Sequence, residues 1–302
     1  TRNIYTFIPN GSGGGSVVAF TTANLAMISP HLNAGSSATA VINFVRSQAI
    51  GAIIGSTPAL MDPPSLDPPP DADYPGFVDD NKDRRSMIWV GANDGMLHGI
   101  DARLGQEVWA FIPFNLLPKL RALRSGQPVG DFRFFVDGSP KVADVKVGGQ
   151  WRTYLVMGEG PGGTFYQTFD VTLPDMGQTV TPTSDTLADV LSYFSSPSSV
   201  PLKWAFPQYL HFDYNCTFAG GNCPTLSSWG DISIGAPAIA KTVGETWSDP
   251  AVGQIGSPSS PYVVLTGSGF LKYSIQQQAN RAGTVAGTTF YVLDIATGNV
   301  LD

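Results

Sequence analysis

The chain is short of cysteine, of histidine and of positive charge. Of its 302 residues only 2 are cysteine and 3 are histidine, and 17 Lys plus Arg stand against 24 Asp plus Glu, for a formal net charge of −7. A phosphate backbone is held by clustered basic side chains, so nucleic acid is not expected as a partner. No apolar run approaches the ~20 residues of a membrane-crossing helix, so no transmembrane segment is expected. Thr1 is not followed by a basic and then an apolar leader region, so any signal peptide is expected to have been removed or to lie upstream. Catalytic patterns are missing as well. There is no Gly-x-Ser-x-Gly, and His31, His98 and His211 sit in unrelated settings. His98, next to Gly99 in an apolar stretch, reads as a packed or surface residue rather than a base. We therefore expect no enzyme, no catalytic residue and no cofactor in this chain.

Glycine and proline are plentiful instead, 34 and 24 residues, as in a loop-rich all-β protein. The stretch Met87–Phe111 reads as an antiparallel meander. Met87 to Val90 is one strand and Met96 to Ile100 the next, with Asn93-Asp94-Gly95 as the hairpin between them. Asp101 to Gly105 makes a second turn, and the strand from Glu107 carries Trp109 and Phe111 on one face. The pattern recurs. A small residue and a proline open an apolar strand at Pro58, Pro140 and Pro237. An apolar strand ending in glycine follows, at Gly91, Gly158 and Gly267, and then a strand ending in Asp101, Asp170 or Asp294. A fourth strand holds Trp109 in the first unit and Trp204 in the second, and Thr297-Gly298 repeats the Leu104-Gly105 turn. Repeated four-stranded units of this kind are propeller blades. We expect blades at about 51–130, 131–228 and 229–302, preceded by N-terminal strands and a helix over residues 1–50. Three blades make only part of a ring. The aspartates recur at one blade position, which marks them as turn caps, because an active site uses a carboxylate once.

Between the strands lie three expected surface insertions, Met61–Asp83, Asp175–Pro201 and Gly244–Pro261. The first is rich in aspartate, and Asp71 and Asp73 are its weak candidates for a divalent cation. Pro75 stands where a calcium loop needs an oxygen ligand, so a solvated acidic loop is the simpler reading. Ser36 to Gln48 is the best helix, with Val41, Ile42, Phe44 and Val45 as its apolar stripe. Pro113 to Leu123 reads as a short helix covering the core with Leu116, Leu117, Leu120 and Leu123. Gly158 to Gly163 fits Gly-x-Gly-x-x-Gly, but the segment after it reads as a strand, so a glycine hairpin is expected rather than a pyrophosphate site. Cys216 and Cys223 flank Gly220-Gly221 in a loop that can fold back on itself. Zinc would need two more soft ligands, and only His211 is near, so a local disulfide in an oxidising compartment is the expectation.

The residues from Val90 to Ala102, V-G-A-N-D-G-M-L-H-G-I-D-A, resemble the blade motif of the PilY family, type IV pilus biogenesis factors and tip adhesins. Further stretches match in the family's order: Arg2–Phe7, Leu116–Leu123, Phe134–Val145, Trp151–Gly163, Phe169–Thr172 and Phe290–Gly298. The resemblance implies the C-terminal modified β-propeller of a large secreted protein, exported through the periplasm to the pilus tip and cell surface. It implies minor pilins and a host or abiotic surface as partners, and roles in piliation, twitching and attachment. The von Willebrand A-like domain of many members does not appear here. Nor does Arg-Gly-Asp. The family's calcium loop is expected downstream of Asp302. The single-blade motif also resembles quinoprotein dehydrogenases, in which Gly91, Asp94, Gly95, Asp101, Gly105 and Trp109 would be blade-docking positions. Those enzymes place an adjacent-cysteine disulfide under a quinone, whereas Cys216 and Cys223 are well separated. A quinone-dependent oxidoreductase is thus the weaker alternative. A carbohydrate-binding propeller, with aromatic residues of 181–214 stacking on sugars, is another.

Overall fold

Two N-terminal strands, β1 (Ile4–Pro9) and β2 (Gly15–Ala19), form an antiparallel hairpin closed through Asn10, whose Oδ1 accepts from the backbone N–H groups of Ser12 and Gly14. The computed structural model describes residues 2–64, 71–125, 133–172, 188, 191–192, 195–197, 200–213, 231–232, 237–256, 260–270 and 287–302. Helices α1 (Leu25–Leu32) and α2 (Ala38–Ser47) follow the hairpin. The expected α2 stripe is present: Val41, Ile42 and Val45 are buried at one turn's spacing. Helix α1 had no sequence expectation, and it holds Pro30, a residue that reads as a helix breaker.

The first blade is the meander β3 (Ala59–Met61), β4 (Met87–Ala92), β5 (Met96–Asp101) and β6 (Glu107–Ile112), paired antiparallel in that order. β1 adds to it in parallel beside β6, with Ile4 opposite Ala110 and Thr6 opposite Ile112. The sheet thus has six strands, β2-β1-β6-β5-β4-β3. This covers the edge that β6 would otherwise expose. It also explains why every residue of β6 after Glu107 is buried. Between β3 and β4 lies α3 (Tyr74–Asp80). The expected surface insertion over Met61–Asp83 is here corrected, because Tyr74 and Phe77 are buried against the second blade, with the Tyr74 ring 4.7 Å edge-on from Trp151.

After β6 a 3-10 turn (Phe114–Lys119) runs into α4 (Leu120–Ser125), and Leu116, Leu117 and Leu120 are buried as the sequence implies. The second blade is β7 (Lys141–Val147), β8 (Gln150–Met157), β9 (Tyr166–Asp170) and β10 (Leu202–Phe206), again four strands in meander order. β11 (Phe212–Asp213) and β12 (Asp231–Ile232) then pair antiparallel across the segment that holds Cys216 and Cys223. Both cysteines, and most of Asp175–Pro201, lie outside the described residues. The third blade is β13 (Ala251–Gln254), β14 (Tyr262–Gly267) and β15 (Phe290–Asp294). Its fourth position is a single bridge between Leu293 and Val300.

The third unit corrects the sequence reading in two places. Ala238–Thr242, after Pro237, is a 3-10 turn and not the opening strand. The opening strand is β13, inside the expected surface insertion Gly244–Pro261. The Ser-x-Gly-Ala-Pro likeness at Pro237 marks only a turn entry, while the short β13 shows little apolar alternation. The sheets follow one another as blades and do not close into a ring among the described residues.

The blades are joined by aromatic wedges at equivalent positions. Trp109, 1% exposed, packs on Trp89 of its own blade at 5.1 Å and on Phe169 of the second blade at 5.9 Å. Phe111 meets the same Phe169 ring at 5.1 Å. Trp204 does the same one blade on, donating from Nε1 to the Ile295 carbonyl at 2.8 Å. A Cβ on Gly298 would come within 2.6 Å of its ring. Replacing Trp109 by Ala is expected to cost about 3–5 kcal/mol by urea denaturation, and Phe169→Ala in that background to cost less than it does alone. Additive costs would show that the two rings do not share one interface.

Candidate functional site

The strand-ending aspartates cap the turns that follow them. Asp101 Oδ1 accepts from the N–H groups of Arg103 and Leu104, and Asp294 Oδ1 accepts from those of Ala296 and Thr297. In both turns a glycine N–H returns to the aspartate carbonyl at 2.8 Å, from Gly105 at φ +64° and Gly298 at φ +71°. A side chain at that φ is strained, which fixes glycine there. Asp170 caps Thr172 in the same manner through N–H and hydroxyl. Asp101 has a second task, a buried ion pair with Arg85. Gly95 turns the β4–β5 hairpin, and Gly91 lies under Val136, whose carbonyl would be 2.7 Å from a Cβ at that position. Asp94 sits in the β4–β5 hairpin. It accepts from the Gly51 N–H at 2.9 Å through Oδ2 and meets His98 Nε2 at 3.1 Å through Oδ1.

His98 is fully buried on β5 between two carboxylates. Its Nδ1 is 2.6 Å from Glu107, and Arg2 reaches the same carboxylate with Nε at 2.7 Å and Nη2 at 2.6 Å. Burial disfavours the imidazolium, but the bonds and charges of Asp94 and Glu107 outweigh it and raise the pKa to about 9. Burial pushes Glu107 up, and His98 and Arg2 bring it down to about 2. The row Arg2–Glu107–His98–Asp94–Gly51 therefore ties the N-terminal strand and the chain before β3 to the first blade. It braces the ring in place, since each nitrogen of His98 meets a carboxylate of its own.

A second buried cluster joins all three blades. Lys119 is wholly enclosed and donates from Nζ to the carbonyls of Phe134 and Gly162, lying 5.0 Å from the Phe135 ring centre. Glu159, in the glycine-rich turn after β8, accepts from Asn115 Nδ2 and Gln167 Nε2, each at 2.8 Å. Its backbone N–H donates to Thr246 of the third unit at 2.7 Å. Burial lowers Lys119 to about 7 and raises Glu159 to about 7. Gly158–Gly163 is thus a turn packed under three blades and followed by strand β9, so no helix N-terminus faces it. Sequence reasoning missed Arg2, Glu107, Lys119 and Glu159. The available signal was a charged residue inside an otherwise apolar run.

Asp71 and Asp73 do come together, on a cation of the protein's own. Lys146 Nζ reaches Asp71 Oδ2 and Asp73 Oδ2 at 2.7 Å each, and the Trp151 indole donates to Asp71 Oδ1 at 3.1 Å. The Lys146 bond, the Asp73 backbone and Trp151 hold Asp71 down to about 2. An ammonium already occupies the space between the carboxylates, so the pair does not suit a divalent metal. Among the described residues no group of three or more His, Cys, Asp or Glu side chains converges as metal ligands.

Two measurements probe these clusters. His98 has a folded pKa above its unfolded value of 6.5, so its contribution is complete below pH 6.5 and is lost as pH rises through about 9. Relative to His98→Gln, the wild type should lose about 3 kcal/mol between pH 6 and 10 in urea titrations. A gap independent of pH would contradict the ionic bracing. In the second cluster, Lys119→Met alone should cost about 3–5 kcal/mol, and adding Glu159→Gln should recover part of it, because the single change leaves an uncompensated buried carboxylate. Denaturation midpoints of the three variants give the comparison.

Comparison with known proteins assigns the arrangement to a family. Residues 51–182 match the PilY1 beta-propeller domain. Type IV pilus biogenesis factor PilY1 of Pseudomonas aeruginosa strain UCBPP-PA14 is 32% identical over 237 residues, which is 68% of this chain and 20% of that protein. The PilY1 of strain PAO1 is 41% identical over 136 residues, 43% of this chain and 12% of its own length. A PilY1 homolog of Xylella fastidiosa is 31% identical over 213 residues, 68% of this chain and 14% of that protein. The solved C-terminal domain of Pseudomonas aeruginosa PilY1 aligns with 75% of this chain and 31% of its own at 24% identity and a TM-score of 0.41. The chain thus spans at most a fifth of the curated relatives it matches. With its repeated four-stranded blades, aspartate-capped turns and tryptophan wedges, it belongs to the PilY1 β-propeller family.

Proposed function

We propose that this chain is a non-enzymatic assembly and adhesion module of a type IV pilus, working at the pilus tip on the cell surface after export through the periplasm. Its relatives carry the name of type IV pilus biogenesis factors, and the 32% identity that runs through 68% of the chain is the observation that carries the reading. The physical properties of the blades support it. Central strands of the first blade buried on both faces, wedged by tryptophan and braced by enclosed ion pairs, suit a part that transmits force. Minor pilins and a host or abiotic surface are the partners we assign. Of the three insertions in the sequence, Met61–Asp83 supplies α3 and Gly244–Pro261 supplies β13, so removing either would damage the blades. We therefore assign the adhesive contact to Asp175–Pro201.

Two strains of the source bacterium test this. In-frame deletion of residues 51–302 should abolish surface pili and twitching. Replacing 175–187 by a Gly-Ser linker should leave piliation intact and lower attachment several-fold, because Leu191, whose carbonyl accepts from Asn3, is kept. Normal piliation in the first strain would overturn the assembly role. Unchanged attachment in the second would overturn the contact assignment.

A further inference from the structure

A cleft of about 460 Å³ opens between the second and third blades. Its floor is the Trp151–Tyr262 pair, with ring centres 5.9 Å apart and edge-on. Lys146, Asp71, Asp294 and Gln254 line it as well. These residues come from the β7–β8 hairpin, the chain before α3, and one end of the third blade, so only the docked blades create the cleft.

The polar groups facing it are not all used by the protein. Asp294 spends Oδ1 on its turn, and among the described residues no group bonds its Oδ2. The Tyr262 hydroxyl likewise has no described partner, although the ring itself is only 6% exposed. Lys146 shares its ammonium between Asp71 and Asp73 with its side chain 27% exposed. The wall therefore offers a carboxylate oxygen, a phenol that both donates and accepts, and an amine, over an aromatic floor.

The charges restrict what fits. Asp71, Asp73 and Asp294 oppose an anion, and the Lys146 ammonium opposes a metal ion. A ligand is favoured that both donates and accepts without carrying negative charge and has C–H faces for the aromatic floor. Its volume is that of one or two sugar rings. We propose that this cleft is a saccharide-binding site, taking a neutral or amino-bearing sugar unit through Asp294, Tyr262 and Lys146. It deepens the adhesive part of the proposed function and rests on that reading only for where the site is used. Sugar binding is measured on purified protein and piliation in cells, so the two can fail separately.

The probes are glucose, galactose, mannose, N-acetylglucosamine and glucosamine, each at about 10 mM, above the millimolar Kd that so small a ligand reaches. Saturation-transfer NMR on the full chain should show transfer to at least one of them. Tyr262→Phe removes only the hydroxyl, and Asp294→Asn keeps the Oδ1 that caps the turn. Each should weaken binding about tenfold, the loss of one hydrogen bond to a charged or buried group, with an unchanged melting temperature. Should Asp294→Asn fail to fold, Tyr262→Phe still decides the matter. Absence of transfer from all five sugars, or transfer that Tyr262→Phe leaves intact, would overturn the proposal.

Discussion

The contact of Trp109 with Phe169 is the one on which the rest of the structure depends. A four-stranded meander has two faces, and it cannot leave its apolar face in water. Each blade solves this by presenting a large ring to the next. Trp109 and Phe111 share Phe169 across the first junction, and Trp204 reaches the Ile295 carbonyl across the second. In the first blade the aspartate-to-glycine turn from Asp101 to Gly105 leads directly into the strand that carries Trp109.

Around this apolar frame the protein places a small number of enclosed charges. They are costly to bury, and each is held by several partners. Glu107 takes both His98 and Arg2, and Glu159 takes Asn115 and Gln167 while its backbone holds Thr246. Such networks add directionality where aromatic packing alone would let blades slide. Both link parts distant in sequence, the first joining Arg2 to β6 and the second joining the segments near 115, 159 and 246. The Arg84–Thr153–Asp144–Tyr74 chain does the same for α3. Rigidity within and between blades leaves the clefts and connections at their rims as the variable surface.

Much of this was legible in the chain. The order of strands in the first two blades follows from the recurring Pro, Gly and Asp positions, and the roles of Asp101, Asp170 and Asp294 as caps follow from their repetition. The docking role of Trp109 came from its place in the motif. Other features were not legible. Strand β13 is four residues with no apolar alternation, so only its pairing with β14 makes it a strand. Helix α3 was hidden because Tyr74 and Phe77 sit in an acidic, proline-rich stretch that reads as solvated. The ion networks were invisible because their members are separated by up to a hundred residues, and a charged residue in an apolar strand does not name its partner.

The sequence by itself determined the local code: which residues turn, which extend, and which large ring each blade offers to its neighbour. These are short-range matters of backbone φ, side-chain alternation and turn capping, and they act within about twenty residues. The tertiary structure alone decided that β1 joins β6 in parallel, that His98 lies between two carboxylates, and that Lys146 claims the aspartates a metal would need. It also decided that Asp294 and Tyr262 line one cleft with Lys146. Burial and electrostatics depend on which atoms surround a group, and that is settled only when distant segments pack.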